Sequence, residues 1–345
     1  MIAAQPAVRD QPPRTPPETL LELRDLQVEY GWGKDALRAV DGVNLTIGAG
    51  EIVGLAGESG CGKSTVANTA MQILREPASV VGGSILFRGE DLAQRSAKEL
   101  RKFRWRNVSM VFQSAMNSLN PVMRVGDQFV DMMKAHERIS KRDALAEAAD
   151  LLESVGIDRR RVKAYPHELS GGMRQRVIIA MALALQPELV IFDEPTTALD
   201  VVVQREILQE VQYLQAARGF AVLFITHDLS LLLEIAHRAA IMYAGEIVEL
   251  APTPTLAANP QHPYTQGLLA SFPPLSGERK RLTGIPGSPP DLAEMPSGCR
   301  FHPRCPHCDP ADADLFARQI GERPVLREYA EGHRVACHLV ERQGA

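Results

Sequence analysis

The chain has 345 residues, 45% of them hydrophobic and 23% charged, enough apolar material for one large domain or two smaller ones. Lys and Arg number 38 against 42 Asp and Glu, for a net charge of -4, which removes the polybasic footprint of a nucleic-acid binder. The longest apolar run, Val177 to Leu185, is nine residues where a membrane-spanning helix needs roughly 20, and the N-terminus lacks a charged-then-apolar secretion signal, so a cytoplasmic chain is expected.

Residues 1–19 form a leader with Pro6, Pro12, Pro13, Pro16 and Pro17 and no periodic apolar pattern, expected to be disordered. From Leu20, the residues Leu21, Leu23, Leu26 and Val28 interleave with Glu22, Arg24, Gln27 and Glu29, the mark of a half-buried strand. A second strand is expected over Val43–Ile47, and a third, Ile52–Ala56, runs straight into a glycine-rich loop. The stretch 95–165 is charged and reads as helical, most clearly over Ala144–Leu152. Short apolar runs return at Leu189–Phe192 and Ala221–Ile225, each followed by a helical pattern, as buried parallel strands of an α/β sheet are. Beyond about residue 255 proline and glycine become dense, so 20–255 reads as one α/β domain and 256–345 as an irregular, cysteine-bearing extension. No internal repeat is present.

Gly57-Glu58-Ser59-Gly60-Cys61-Gly62-Lys63-Ser64-Thr65 fits G-x-x-x-x-G-K-S/T, with an apolar strand before it and a helix former after it. In that context the glycines let successive N–H groups turn inward around phosphate oxygens, and the following helix adds its positive end. Lys63 would bridge the two outer phosphates and Ser64 would ligate Mg2+. Cys61 reads as a small side chain tolerated where space is short, with a regulatory thiol as the other reading. The strand Leu189–Phe192 ends in Asp193 and Glu194, where a doubly wound sheet places its ligand. Asp193 would hold Mg2+ mostly through water, and Glu194 would act as general base on the attacking water.

Leu169-Ser170-Gly171-Gly172-Met173-Arg174-Gln175-Arg176 is a second anion cradle at a helix start. With it the chain resembles the ATP-binding subunits of ABC transporters. The resemblance implies a P-loop NTPase (RecA-like) core with an antiparallel β subdomain and an inserted α-helical subdomain at about 95–165. It implies ATP sandwiched between the phosphate loop of one subunit and the Ser170, Gly171, Gly172 and Gln175 signature of another. By the same resemblance, Gln113 senses Mg2+ and water, Asp200 lies in a loop crossing the dimer interface, and His227 contacts the γ-phosphate. Tyr30 either stacks on adenine or covers core. Every catalytic position, Lys63, Gln113, Ser170, Glu194 and His227, is of the active type, so ATP hydrolysis is expected.

Three further strings, Ser114 to Pro121, Asn259 to Ala270, and the pair Ile285–Leu292 and Gly298–Pro306, resemble the dipeptide, oligopeptide and nickel importer branch. That branch implies a second ATP-binding subunit, expected to be a paralogue, two membrane permeases and an extracytoplasmic binding protein, with the chain peripheral on the cytoplasmic face of the inner membrane and no nucleic-acid partner. Peptides, nickel or glutathione would be the cargo. A soluble ABC ATPase acting on nucleic acid or the ribosome is the alternative. Four of the five cysteines, Cys299, Cys305, Cys308 and Cys337, lie in the extension, and in a reducing cytoplasm clustered cysteines suggest a metal more than disulfides. The branch implies a 4Fe-4S cluster on them. The close Cys305–Cys308 spacing also suits zinc, with His302, His307 and His338 nearby, or the thiols carry no metal.

Overall fold

The computed structural model describes residues 18–113, 118–195, 200–271 and 284–343. The leader, apart from its last two residues, part of the string Ser114 to Pro121 and the residues just before Asp200 therefore lie outside the described residues. The first two long strands, β1 (Thr19–Tyr30) and β2 (Leu37–Gly48), pair antiparallel, and β4 (Ala78–Phe87) and β5 (Glu90–Asp91) extend them into a four-stranded sheet of order β2-β1-β4-β5. In β1 the apolar residues Leu21, Leu23, Leu26 and Val28 are all buried. Their period slips by one between Leu23 and Leu26 because Asp25 adopts φ 46°, a bulge at which the pairing register shifts.

The second sheet contains eight strands: β3 (Ile52–Ala56), β6 (Val108–Val111), β7 (Leu189–Asp193), β8 (Ala221–Thr226), β9 (Arg238–Tyr243), β10 (Glu246–Pro252), β11 (Arg327–Ala330) and β12 (His333–Val335). Its order is β11-β12-β10-β9-β3-β8-β7-β6, and the five strands from β9 to β6 run parallel. The strands β3, β7 and β8 are buried at every residue, which is why they appear in the sequence as continuous apolar runs. The order β3-β8-β7-β6 places four carboxyl ends side by side. They lead into the glycine-rich loop, His227, the Asp193-Glu194 pair and Gln113.

Around this sheet lie α1 (Lys63–Ala70), α2 (Ala97–Arg106), α3 (Val125–His136), α4 (Lys141–Ser154), α5 (Gly171–Leu183), α6 (Val201–Arg218) and α7 (Leu229–Ile235). The helix α7 packs tightly on β3: a Cβ at Gly54 would come within 2.2 Å of Leu232. The segment 95–165 is mostly helical, but it also contributes β6 to the main sheet. The extension is more ordered than its composition suggests, with α8 (Thr253–Ala258), α9 (Pro263–Ala270), α10 (Ala313–Gly321) and α11 (His338–Gln343). The expected boundary at 255/256 falls inside α8. The strand β12 pairs with β10, and β11 with β12, so the extension continues the sheet of the core.

Buried polar groups hold the extension in place. Glu249 of β10, fully buried, accepts the N–H groups of Gln261 (2.7 Å) and His262 (3.0 Å), and His333 Nε2 of β12 lies 2.8 Å from it. Arg300 reaches Asp41 on β2 and Glu246 on β10, joining the extension to both sheets. His262 caps α9, its Nδ1 accepting the Tyr264 N–H at 3.0 Å. Wholly buried, its ring is held neutral, with its pKa lowered by burial from 6.5 to about 3. Below pH 6.5 the unfolded chain binds a proton the folded one refuses. Stability is therefore lost as pH falls, by about 1.4 kcal/mol per pH unit, until about pH 3. Between pH 7.5 and pH 5 the native protein is expected to lose about 2 kcal/mol more unfolding free energy than His262→Asn, which keeps a capping oxygen but does not titrate. Urea unfolding of both proteins at the two pH values checks this.

Candidate active site

The loop after β3 closes on the N-terminus of α1. Gly62, the residue before α1, has φ 106°, and a Cβ there would come within 2.5 Å of the Ala39 carbonyl oxygen, so only glycine fits. A Cβ at Gly57 would meet the Met242 carbonyl oxygen at 2.1 Å. The loop is thus pressed against β2 and β9. The Lys63 ammonium, 5% exposed, donates to the carbonyl oxygens of Gly57 (2.7 Å) and Glu58 (2.9 Å). It is already folded back over the cradle. Cys61 is buried with its Sγ 3.8 Å from Lys63 Nζ; burial pushes its thiol up and the charge of Lys63 opposes this. It is a packing residue beside the ammonium.

At the end of β7 the Ser64 hydroxyl donates to Asp193 Oδ1 at 3.0 Å. Burial raises the Asp193 carboxyl above its ordinary value, and the Ser64 hydrogen bond works against that. Glu194 has φ 46°, a sparsely populated conformation for a non-glycine residue, held by its N–H donating to Ile225 O at 2.9 Å. The turn brings its carboxylate to face two neighbours. Gln113 Nε2 donates to Glu194 Oε2 at 2.8 Å, and His227 Nδ1 lies 3.4 Å from the same oxygen. With its amide nitrogen on Glu194, Gln113 has its carbonyl oxygen free for a cation. Ser64, Asp193 and Gln113 thus offer only oxygen donors, a set suited to Mg2+.

A cavity of about 580 Å3 opens over these groups, lined by Tyr30, Leu37, Ala39, Ser59, Gly60, Gly62, Lys63, Ser64, Thr65, Gln113, Glu194 and Leu292. Tyr30, at the end of β1, sits on its wall with its hydroxyl 3.2 Å from Thr65 Oγ1. The cavity combines an N–H cradle, an ammonium, oxygen ligands and a carboxylate positioned by two side chains. It can hold a polyphosphate and polarise a water beside it.

The signature string stands apart. Ser170 caps α5, its Oγ accepting the Met173 N–H at 3.2 Å. Ser170 is exposed, and Asp200, the cap of α6, is exposed too. None of Ser170, Gly171, Gly172 and Asp200 lines the cavity. Gln175 is 1% exposed, so it supports α5 from inside and leaves Ser170, Gly171 and Gly172 as the open part of the signature.

The cysteine reading is corrected. Among the described residues no group of three or more His, Cys, Asp or Glu is placed to hold a metal ion, so Cys299, Cys305, Cys308 and Cys337 do not form the expected site for a 4Fe-4S cluster, nor for zinc. Burial pushes the Cys299 thiol up to about 12 and the Cys337 thiol up to about 11, and it also raises Cys305 and Cys308. Of the nearby histidines, His302 Nδ1 lies 2.9 Å from Cys299 O, and His338 Nε2 lies 2.9 Å from Glu322 O. Cys299 and Cys305 instead pack against the main core.

Sequence reasoning missed Leu37, Ala39 and Leu292 as cavity walls. It also missed the contacts of Tyr264 and Arg304 with the loop, described below. No local pattern marks them, because they meet the loop only through the fold.

Residues 40–197 match the family model described as ABC transporter, and 248–311 match that of the oligopeptide/dipeptide transporter C-terminal region. The oligopeptide transport ATP-binding protein OppD of Bacillus subtilis is 46% identical over 326 residues, covering 93% of this chain and 89% of that protein. The dipeptide transport ATP-binding protein DppD of Escherichia coli is 41% identical over 321 residues, covering 92% and 96%. Among solved structures, the dimeric post-hydrolysis state of the ATP-binding cassette MJ0796 bound to ADP and Pi superimposes with a TM-score of 0.60 at 27% identity, covering 68% of this chain and 99% of that one.

Proposed function

The chain belongs to the ABC transporter family, among the ATP-binding subunits of peptide transporters, and on that premise we propose that its cavity binds and hydrolyses ATP to energise uptake of dipeptides, oligopeptides or a related small solute. The observation that carries the mechanism is the convergence of Gln113 and His227 on one oxygen of Glu194. A carboxylate held by Gln113 and flanked by His227 is suited to take a proton from water and to keep that water in line with the terminal phosphate. Lys63 and the N–H groups of the loop hold the phosphates. Ser64, Asp193 and Gln113 would hold Mg2+, which would neutralise charge on the phosphates. Tyr30 is placed to stack on the base.

Because Ser170, Gly171, Gly172 and Asp200 are away from the cavity of their own chain, they are free to close the site of a second ATP-binding subunit. The dimeric cassette MJ0796 supports this arrangement. The partner reads as a paralogue. Among the described residues no helix is long and apolar enough to cross a membrane, and the solute would pass through separate permeases. We place the chain on the cytoplasmic face of the inner membrane, with two permeases and an extracytoplasmic binding protein. Retrieval of the tagged chain from detergent-solubilised membranes tests the assembly. Mass spectrometry is expected to identify two permeases and a second ATPase. Recovery only from the soluble fraction, with ribosomes or DNA, would refute it and favour the nucleic-acid alternative.

A further inference from the structure

Two strings of the C-terminal segment, Asn259–Ala270 and Gly298–Pro306, each bring a residue to the phosphate loop, and Ile285–Leu292 supports them. From the first, Tyr264 of α9 turns its buried hydroxyl to accept the Glu58 N–H at 2.9 Å. Within Ile285–Leu292, Leu292 lines the nucleotide cavity, while Pro286 and Gly287 present carbonyl oxygens to Arg304 at 2.8 and 3.4 Å. From Gly298–Pro306, Arg304 grips the Glu58 carboxylate with both guanidinium arms, Nη1 to Oε2 at 2.6 Å and Nη2 to Oε1 at 3.0 Å. Loop and arginine are 246 positions apart in sequence.

The surroundings of Arg304 are built for this contact. It is 7% exposed and lies over the Tyr243 ring, 5.7 Å from the centroid. Tyr243, Tyr264 and Phe301 pack together beneath it, with ring centroids 4.6 to 5.5 Å apart. A forked pair of this kind, with its arginine buried and its carboxylate partly exposed, fixes direction as well as charge. Its acidic member belongs to the loop that must receive a polyanion. A free carboxylate at Glu58 would repel the phosphates and compete for Lys63.

We propose that Arg304 is a positioning residue for nucleotide binding: it neutralises Glu58 and holds it away from the phosphates, so that the C-terminal segment sets the affinity of the phosphate loop. The segment thereby acts on the ATP site from within the same chain. This rests on the nucleotide-binding reading of the cavity.

The test compares the full-length chain with Arg304→Gln, Glu58→Gln and the double variant. Binding of Mg·ATP, Mg·ADP and adenosine is followed by calorimetry, and steady-state kcat and KM are measured for ATP. Arg304→Gln is expected to weaken ATP binding about tenfold, ADP binding less, and adenosine binding not at all, because the repulsion scales with phosphate charge. KM should rise while kcat stays within about threefold. The double variant should recover ATP affinity, since removing the Glu58 charge removes the need for Arg304. Arg304→Lys, which keeps the charge but not the fork, should lie between. Equal losses for ATP, ADP and adenosine, or a double variant as weak as Arg304→Gln, would overturn the proposal. If Arg304→Gln does not fold, Arg304→Lys decides by the same nucleotide series. Failure of the unmodified chain to bind ATP would refute the reading of the cavity itself, a different result from any of these.

Discussion

Glu194→Gln is expected to lower kcat for ATP by at least about a hundredfold, the usual range for a lost general base, while leaving ATP affinity near normal. The substitution keeps the size of the side chain, and its amide oxygen can still accept from Gln113, which donates to Glu194 Oε2 at 2.8 Å. The ability to take a proton from water is what disappears. On the proposed sandwich, closing of two subunits around ATP would depend on the loop and the signature, so the variant should accumulate as an ATP-bound pair. Phosphate release under saturating ATP and size-exclusion chromatography with and without ATP measure the two effects. Near-normal turnover would remove Glu194 as the base.

Lys63→Met is expected to act on the other step. Lys63 supplies a buried ammonium held over the cradle by the carbonyl oxygens of Gly57 and Glu58. Methionine keeps much of the stem and removes the charge that two phosphates would share. A charge-assisted contact of this kind, lost from a desolvated site, corresponds to a weakening of about a hundredfold or more. ATP binding by calorimetry should fall below detection at micromolar protein, with no pairing of subunits on ATP addition. Retained binding with only turnover lost would mean that Lys63 acts in the reaction and not in holding the phosphates. Together the two variants separate binding from hydrolysis.

Much of the core was legible because its signals are local. The buried strands β3, β7 and β8 announce themselves as unbroken apolar runs, and the loop after β3 has its glycines and lysine at fixed offsets. Strand β6 was hidden. Val108-Ser109-Met110-Val111 is four residues long and follows the charged helix α2, so nothing in its composition separates it from the helical segment. In β1 the slip at Asp25 breaks a clean period of two, and only the pairing with β2 explains it. The irregular appearance of the extension reflects its prolines, yet it builds two strands, and its Arg304 reaches back to Glu58 across most of the chain. The cysteines misled because number was taken for a site. Four thiols in one region need a shared geometry, and among the described residues no group of three or more ligands shows one. Gln175, inside the signature string, lies in the interior and not at the open face.

The most direct test of the central claim is peptide accumulation in cells of the source organism from which this chain has been deleted. The account predicts that uptake of at least one class of labelled di- or oligopeptides is lost, is restored by the native chain, and is not restored by Glu194→Gln although that protein still joins the membrane assembly. Uptake of every peptide class undiminished by the deletion, or full restoration by Glu194→Gln, would contradict it.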